Sequence, residues 1–232
     1  KKYCLFKDLD LADYTDVLNF QTRTRQEMIK DPALLDRVFF VQHPRIFTLG
    51  KRGGRENLMV SQAFLNDRKI GVVQTQRGGN ITYHGPGQAV LYPLVNLERA
   101  RIGVADFVHG LEEIMRLTAL KFNIHAQRDN LNHGLFVKDK KIGSVGISIQ
   151  KGISIHGLAL NVCLDLTPFS WINPCGLENL SMTSMEQESH ENPFFRRDDF
   201  MDRVKILLFH YFREIFNYTG KEQPHENALP IQ

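Results

Sequence analysis

Between Gly134 and Leu164 the chain carries three strand-like runs separated by two short polar turns, and no other stretch restricts the fold as much. Gly134 to Val137 is short and apolar, and Asp139 with Lys140 supplies a turn. Ile142 to Gln150 follows as a second run, Lys151 and Gly152 form the next turn, and Ile153 to Leu164 is the third. Two hairpins in series demand an antiparallel or mixed sheet and argue against a doubly wound parallel one. The rest of the pattern adds helices. Leu11 to Ile29 has apolar residues at helical spacing and ends at Asp31 and Pro32. Val104 to Phe122 is amphipathic, and a last helix is expected from about Asp198 to Phe216, stopped near Gly220. Arg37–Gln42, Ile70–Gln76 and Gln88–Leu97 read as further strands, with Pro93 pointing to an edge or a bulge. HPRIFTLGKRGG reads as an irregular connection. The expected architecture is α+β: a mixed, largely antiparallel sheet with a few helices packed on one face. Residues 1–220 are expected to form a single catalytic domain and 221–232 a loose polar tail.

Composition narrows the function classes. A chain of 232 residues with 42% hydrophobic and 24% charged residues suits an ordinary soluble enzyme, and a net charge of +3 is far from that of a dedicated nucleic-acid binder. Three scattered cysteines, Cys4, Cys163 and Cys175, give neither a disulfide framework nor zinc-ligand spacing. No cofactor and no metal are expected. No apolar run approaches bilayer-spanning length, and KKYCLFKDLDLADY contains no signal-peptide core. A cytoplasmic, reducing setting is expected. The absence of an initial methionine leaves a removed targeting peptide open.

Three segments point to chemistry. RGGNITYHGPGQ, Arg77 to Gln88, packs four glycines around Arg77, Tyr83 and His84. Glycines let main-chain N–H groups face an anion or a polarised carbonyl, and such loops cost conformational entropy unless something requires them. The spacing fits neither a dinucleotide fingerprint nor a P-loop. A tight pair of turns between strands, with His84 a structural histidine, remains the plain alternative. In NPCG, Cys175 follows a proline and precedes a glycine, which is turn chemistry that exposes a side chain. A thiol needs a nearby positive charge to become a nucleophile. Lowering its pKa by roughly 1.5 units takes roughly 2 kcal/mol, within reach of one ammonium in a partly dry site. Cys163, in the alternating run LALNVCLDL, reads as a core residue. Lys141 enters a strand beside Gly143, Ser144 and Gly146, and the next strand carries His156, Gly157 and Ala159. Small residues on adjacent strands leave room for something long and slim.

RGGNITYHGPGQ, KIGSVGIS, HGLALNV and INPCG, in this order and spacing, closely resemble the octanoyltransferase (LipB) family, the octanoyl-acyl-carrier-protein:protein N-octanoyltransferases. The resemblance runs from His43 to Met185. It implies the fold of biotin and lipoate ligase catalytic domains. It also implies transfer of an octanoyl group from acyl carrier protein to a lysine of a lipoyl domain, in 2-oxoacid dehydrogenase subunits and glycine cleavage H protein, within lipoate biosynthesis. On the same resemblance Cys175 carries the acyl thioester and Lys141 lowers its pKa and handles protons. Arg77, Gly78, Gly79, Asn80, Ile81, Thr82, Tyr83 and His84 then form the first substrate-binding segment. Ser144, Val145 and Gly146 form the second, and Gly157, Leu158 and Ala159 the third. Lys51, Arg52, Arg55, Lys138, Lys140 and Lys151 are candidates to meet an acidic carrier. An ATP-dependent ligase on the same fold, a non-catalytic acyl-carrier binder, and a cysteine hydrolase using His84 or His156 are the competing readings.

Overall fold

The computed structural model describes residues 1–129, 133–173, 180–189 and 197–222. The elements, in order, are β1 (Lys2–Leu11), α1 (Tyr14–Lys30), β2 (Asp36–Gln42), β3 (Ile46–Leu49), α2 (Gln62–Asp67), β4 (Gly71–Gln74) and β5 (Ile81–His84). After these come β6 (Gln88–Leu94), α3 (Leu97–Ala100), α4 (Val104–Leu120), β7 (Gln127–Arg128), β8 (Leu135–Val137), β9 (Lys140–Gln150) and β10 (Ile153–Asn161). The chain closes with α5 (Met185–Glu188), α6 (Arg197–Phe216) and β11 (Tyr218–Glu222). Both expected hairpins are present, as β8–β9 and β9–β10.

Eight strands form one sheet in the order β11-β1-β2-β6-β10-β9-β8-β7, and β4-β3-β5 form a smaller one. The large sheet is mixed: β1 runs parallel to β2 and β11, and every other pair in it is antiparallel. Helices cover both of its faces, where one was expected. Along β6, Ala89 and Leu91 join the cluster that contains Phe107, Leu111 and Met115 of α4 and Val204, Leu208 and Phe212 of α6. The alternate residues Val90, Tyr92 and Leu94 join Val17 and Met28 of α1 on the other face. That two-sided burial leaves every residue of β6 and β10 buried.

Three local expectations change. Residues before Leu11 form β1, which sequence periodicity did not show, because only Cys4 and Phe6 of it are buried and its partners are distant. HPRIFTLGKRGG is not wholly irregular, since Ile46–Leu49 is the central strand of the small sheet. β11 continues to Glu222 beside Phe6, past the point where a loose tail was expected. Helix α1 starts where it does because Asp13 Oδ1 accepts from Thr15 N at 2.7 Å and Asp16 N at 3.2 Å.

Pro93 sits in a central strand, between β2 and β10, not at an edge. The sheet accommodates it by opening one ladder. Pairing of β6 with β10 stops at Leu158↔Leu91 and resumes beyond it at the Asn96↔Ile153 bridge. In the gap, His156 adopts φ +60°, and its N–H donates across 2.8 Å to Gln21 Oε1 of α1. Proline has no N–H to offer that ladder, so the break costs no donor on the β6 side. The same break brings β10 against β6 so closely that a Cβ on Gly157 would lie 2.1 Å from the Leu91 carbonyl oxygen. No helix among the described residues is long and apolar enough to cross a membrane.

Candidate active site

A cavity of about 350 Å³ opens between the large sheet, Tyr14 of α1, the loop before β5 and the start of α4. That volume is of the order used by small-ligand sites. From Lys141 at one end to Ile147 at the other, its wall follows β9 over seven residues, roughly 20 Å at strand rise. The cavity is therefore elongated, and Ser144 and Ala159, which face each other across the β9–β10 pair, keep its middle wide.

The glycine loop lies along this wall. Gly78 N–H donates to the Ile147 carbonyl at 2.9 Å, which ties the loop to β9. That donor is thereby spent on the sheet and not presented to a ligand. Loop carbonyls take bonds from a second loop: Asn80 O from Gly50 N at 3.1 Å, Arg77 O from Lys51 N at 2.9 Å and Gly79 O from Arg52 N at 3.1 Å. The buried Arg77 guanidinium holds the adjoining strand through Nη2 to Thr48 O at 2.6 Å and Nε to Thr48 Oγ1 at 3.2 Å. A fixed cation thus stands at the cavity wall. The glycines of β9 act differently from expectation. Gly143 faces α4, where a Cβ would meet Met115 Sδ at 2.6 Å, so its missing side chain admits a helix and not a ligand. Gly146 faces the loop, with Gly78 O 3.2 Å from the site of a Cβ.

Three histidines lie at the end away from Lys141, and all three are held neutral. His84 Nδ1 lies 2.7 Å from Gln88 Oε1, an acceptor only, so the proton is on Nδ1. Burial, with the neighbouring His43 next, pushes its pKa down to about 3. His43 donates from Nδ1 to the Ala12 carbonyl at 2.8 Å and accepts at Nε2 from the Tyr92 hydroxyl at 2.9 Å. Burial lowers it to about 4. His156 is lowered to about 3, first by burial and then by the Arg77 and Arg25 charges. Burial also raises Tyr14 to about 12, and Tyr92 well above the ordinary phenol value. Tyr14 stacks on His84 with ring centroids 5.5 Å apart. Aromatic rings and neutral imidazoles thus line this end beside the Arg77 guanidinium.

At the other end Lys141 is built in by its backbone. Lys141 N donates to Ser181 O at 2.8 Å, Thr183 N donates to Lys141 O at 2.9 Å, and Lys141 pairs with Met182 in a parallel bridge. Its Nζ donates to the His133 carbonyl at 2.9 Å. Leu180 and Met182, from the segment that follows NPCG, line the cavity beside it. At the first residue of that motif, Asn173 N donates to Asn57 O at 2.9 Å.

Of the residues singled out from sequence, Lys141, Arg77, Gly78, Gly79, Asn80, Ile81, Thr82, His84, Ser144, Val145, Gly146, Gly157, Leu158 and Ala159 all border this one cavity. Tyr83 does not. It packs between Phe47 and Phe169 in the core under the small sheet, because alternation along β5 turns it away from Thr82 and His84. Cys175 lies outside the described residues. Among the basic residues considered for docking, Arg52 reaches the cavity. Lys140 and Lys151 stand at opposite ends of the eleven-residue β9 and its turn, roughly 36 Å apart along a strand, and cannot share a patch. Tyr14, Tyr92, Val104, Val108 and His133 also line the cavity, and no local sequence pattern marks them.

The mixed sheet with helices on both faces has the fold of lipoate protein ligases. The bipartite lipoate protein ligase of Thermoplasma acidophilum superposes with a TM-score of 0.68 at 16% identity, covering 96% of this chain and 86% of that one. A lipoate-protein ligase A bound with ATP gives 0.67 at 15% identity, covering 96% and 88%. At such identities the likeness is one of fold. The profile of the lipoyl protein ligase A/B catalytic domain matches residues 13–208. Within that class, sequence draws a narrower circle. An octanoyltransferase of Alkaliphilus metalliredigens is 39% identical over 212 residues, 91% of this chain and 94% of its own length. That of Desulfotalea psychrophila is 47% identical over 159 residues, 67% and 71%. The chain belongs to the octanoyltransferase family, enzymes of lipoate biosynthesis.

Proposed function

We propose that this enzyme takes an octanoyl group from acyl carrier protein onto Cys175 and passes it to a lysine of a lipoyl domain, with Lys141 as the partner of the thiol. The observation that carries the reading is the seating of Lys141. It is hydrogen-bonded on both sides to the Ser181–Thr183 segment, which begins six residues after Cys175 (181 − 175 = 6), and it borders an elongated cavity. In the first step the Cys175 thiolate adds to the carrier thioester carbonyl. The tetrahedral adduct expels the carrier thiolate, which takes up the proton of the Lys141 ammonium and leaves that amine neutral for the next step. In the second step the acceptor lysine amine adds to the acyl-Cys175 carbonyl and loses a proton to a base, for which Lys141 is the candidate, and the Cys175 thiolate departs. Thioester exchange is nearly balanced in energy, so the sequence of steps calls for no nucleotide. The saturated chain lies along Ser144, Val145, Gly146, Gly157, Leu158 and Ala159, each buried methylene contributing about 0.8 kcal/mol.

Acceptors on this reading are the lipoyl domains of 2-oxoacid dehydrogenase subunits and glycine cleavage H protein. The catalytic unit is a single domain taking in residues 1–220, and a reducing cytoplasm suits its thiol. Family membership favours the transferase over an ATP-dependent ligase. A hydrolase using His84 or His156 as base fits poorly, because both imidazoles hold a proton so weakly. Incubation with octanoyl-loaded carrier and intact mass measurement is the test. One octanoyl adduct is expected, lost in Cys175→Ala; an adduct of full yield in that variant ends the proposal.

A further inference from the structure

Glu112 of α4 is a carboxylate buried in the core, only 2% exposed. A buried charge of this kind costs several kcal/mol unless it is compensated. Among the described residues, a peptide group supplies its hydrogen bond. Glu112 Oε1 accepts the Gly134 N–H at 2.9 Å. The carbonyl of the same peptide unit, His133 O, accepts from Lys141 Nζ at 2.9 Å. Carboxylate, peptide and ammonium therefore stand in series, with the N–H toward the anion and the C=O toward the cation. Bonds in such a chain polarise one another, and those that end on an ion are the strong ones.

The surroundings are built for this arrangement. Gly134 has φ +134°, and a Cβ there would lie 2.7 Å from Lys141 Cε and 2.4 Å from Gly143 O. Only glycine lets the peptide approach the lysine this closely. His133 Nδ1 stands 3.5 Å from the same Glu112 oxygen, on the solvent side. The Phe136 ring, 5.4 Å from Nζ, flanks the ammonium.

We infer that Glu112 is a positioning residue for the transfer reaction: it fixes the His133–Gly134 peptide so that its carbonyl holds the Lys141 ammonium at the cavity rim, and it serves as that ammonium's counter-charge through the peptide. The inference rests on the pairing of Lys141 with Cys175 proposed above.

The test reads the thiol directly. Full-length protein is alkylated with iodoacetamide at neutral pH, and the Cys175 peptide is followed by mass spectrometry in four chains: wild type, Glu112→Gln, Lys141→Ala and the double variant. Glutamine keeps the shape and an acceptor oxygen but removes the charge. Glu112→Gln should slow Cys175 alkylation about fivefold when Lys141 is present and have no further effect in Lys141→Ala. Labelling of Cys163 should be unaltered. Glu112→Asp, which keeps the charge, should recover part of the lost rate. An unchanged rate in Glu112→Gln, equal slowing with and without Lys141, or equal slowing by Asp and Gln overturns the inference. If Lys141→Ala slows Cys175 and Glu112→Gln does not, the role of Glu112 alone is lost. If Lys141→Ala alkylates at the wild-type rate, the Lys141–Cys175 pairing falls and the inference falls with it.

Discussion

Gln88 Nε2 donates to Asn161 Oδ1 at 2.9 Å, joining β6 to β10 below the cavity. The chain extends in both directions: His84 Nδ1 donates to Gln88 Oε1 at 2.7 Å, and Asn161 Nδ2 donates to Thr183 O at 3.0 Å. Thr183 in turn donates through its backbone to Lys141 O. Two buried side-chain amides thus link the glycine-loop histidine to the lysine strand. Replacing Asn161 by Leu leaves a Gln88 donor and the Thr183 carbonyl unpaired, a cost of about 1–3 kcal/mol. A loss near 2 kcal/mol should lower the melting temperature by roughly 4–8 °C for a chain of this size. A transition within a degree of wild type by circular dichroism would show that the amide chain contributes little.

The glycines of the sheet separate into two kinds, and substitution should tell them apart. At Gly157 a Cβ meets the Leu91 carbonyl oxygen at 2.1 Å and Pro93 Cδ at 2.6 Å, both held by a central strand. At Gly143 it meets Met115 Sδ at 2.6 Å, the far part of a flexible side chain. Gly157→Ala should cost about 3 kcal/mol or more and yield little folded protein, whereas Gly143→Ala should cost about 1 kcal/mol. Urea midpoints give the comparison. Equal losses at the two positions would mean that β6 yields as readily as Met115 does.

The hairpins were legible because their pairing is local: short polar turns, Lys138–Asp139 (one residue earlier than expected) and Lys151–Gly152, separate the strands, and register follows from the turn. β1 was not, since its stability comes from strands at Asp36 and Tyr218 that no short window contains. Two-sided burial was in principle visible in QAVLYPL, whose continuous apolar character is the mark of a covered strand. Pro93 hid it, because proline usually argues for an edge. At the site, the glycine loop and the β9 and β10 segments could be picked out as composition unusual for strands. Tyr83 came along with its neighbours, although β alternation sends it into the core. Glu112 and Asn161 carried no signal. One lies in a helix where a charge usually faces solvent, the other in a strand end, and only tertiary packing turns their polar atoms inward.

Stability should fall as the pH is lowered from 7 to 5, before most carboxylates titrate. His43, His84 and His156 have folded pKa values pushed down to about 4, 3 and 3 by burial. An unfolded histidine takes up its proton near pH 6.5. The unfolded state therefore binds more protons between roughly pH 6.5 and 4, and stability present above that window is lost as pH falls through it. Each such histidine contributes a slope of at most about 1.4 kcal/mol per pH unit. A urea midpoint that is flat from pH 7 to 5 would show that these imidazoles become charged without unfolding.

Chain length should be set where Ser144 and Ala159 face each other across β9 and β10. Both border the cavity, and neither fills it. Ala159→Leu adds bulk in the path proposed for the saturated chain, displacing methylenes that contribute about 0.8 kcal/mol each. Loss of two such contacts is about tenfold in kcat/KM, so octanoyl carrier should suffer by roughly that factor, while a butanoyl carrier that stops short of the obstruction keeps its rate. A shift in the ratio of the two kcat/KM values, with the melting temperature held, is the expected result. Equal losses for short and long chains would place the acyl group elsewhere, because a general defect in the enzyme lowers both and leaves the ratio as it was.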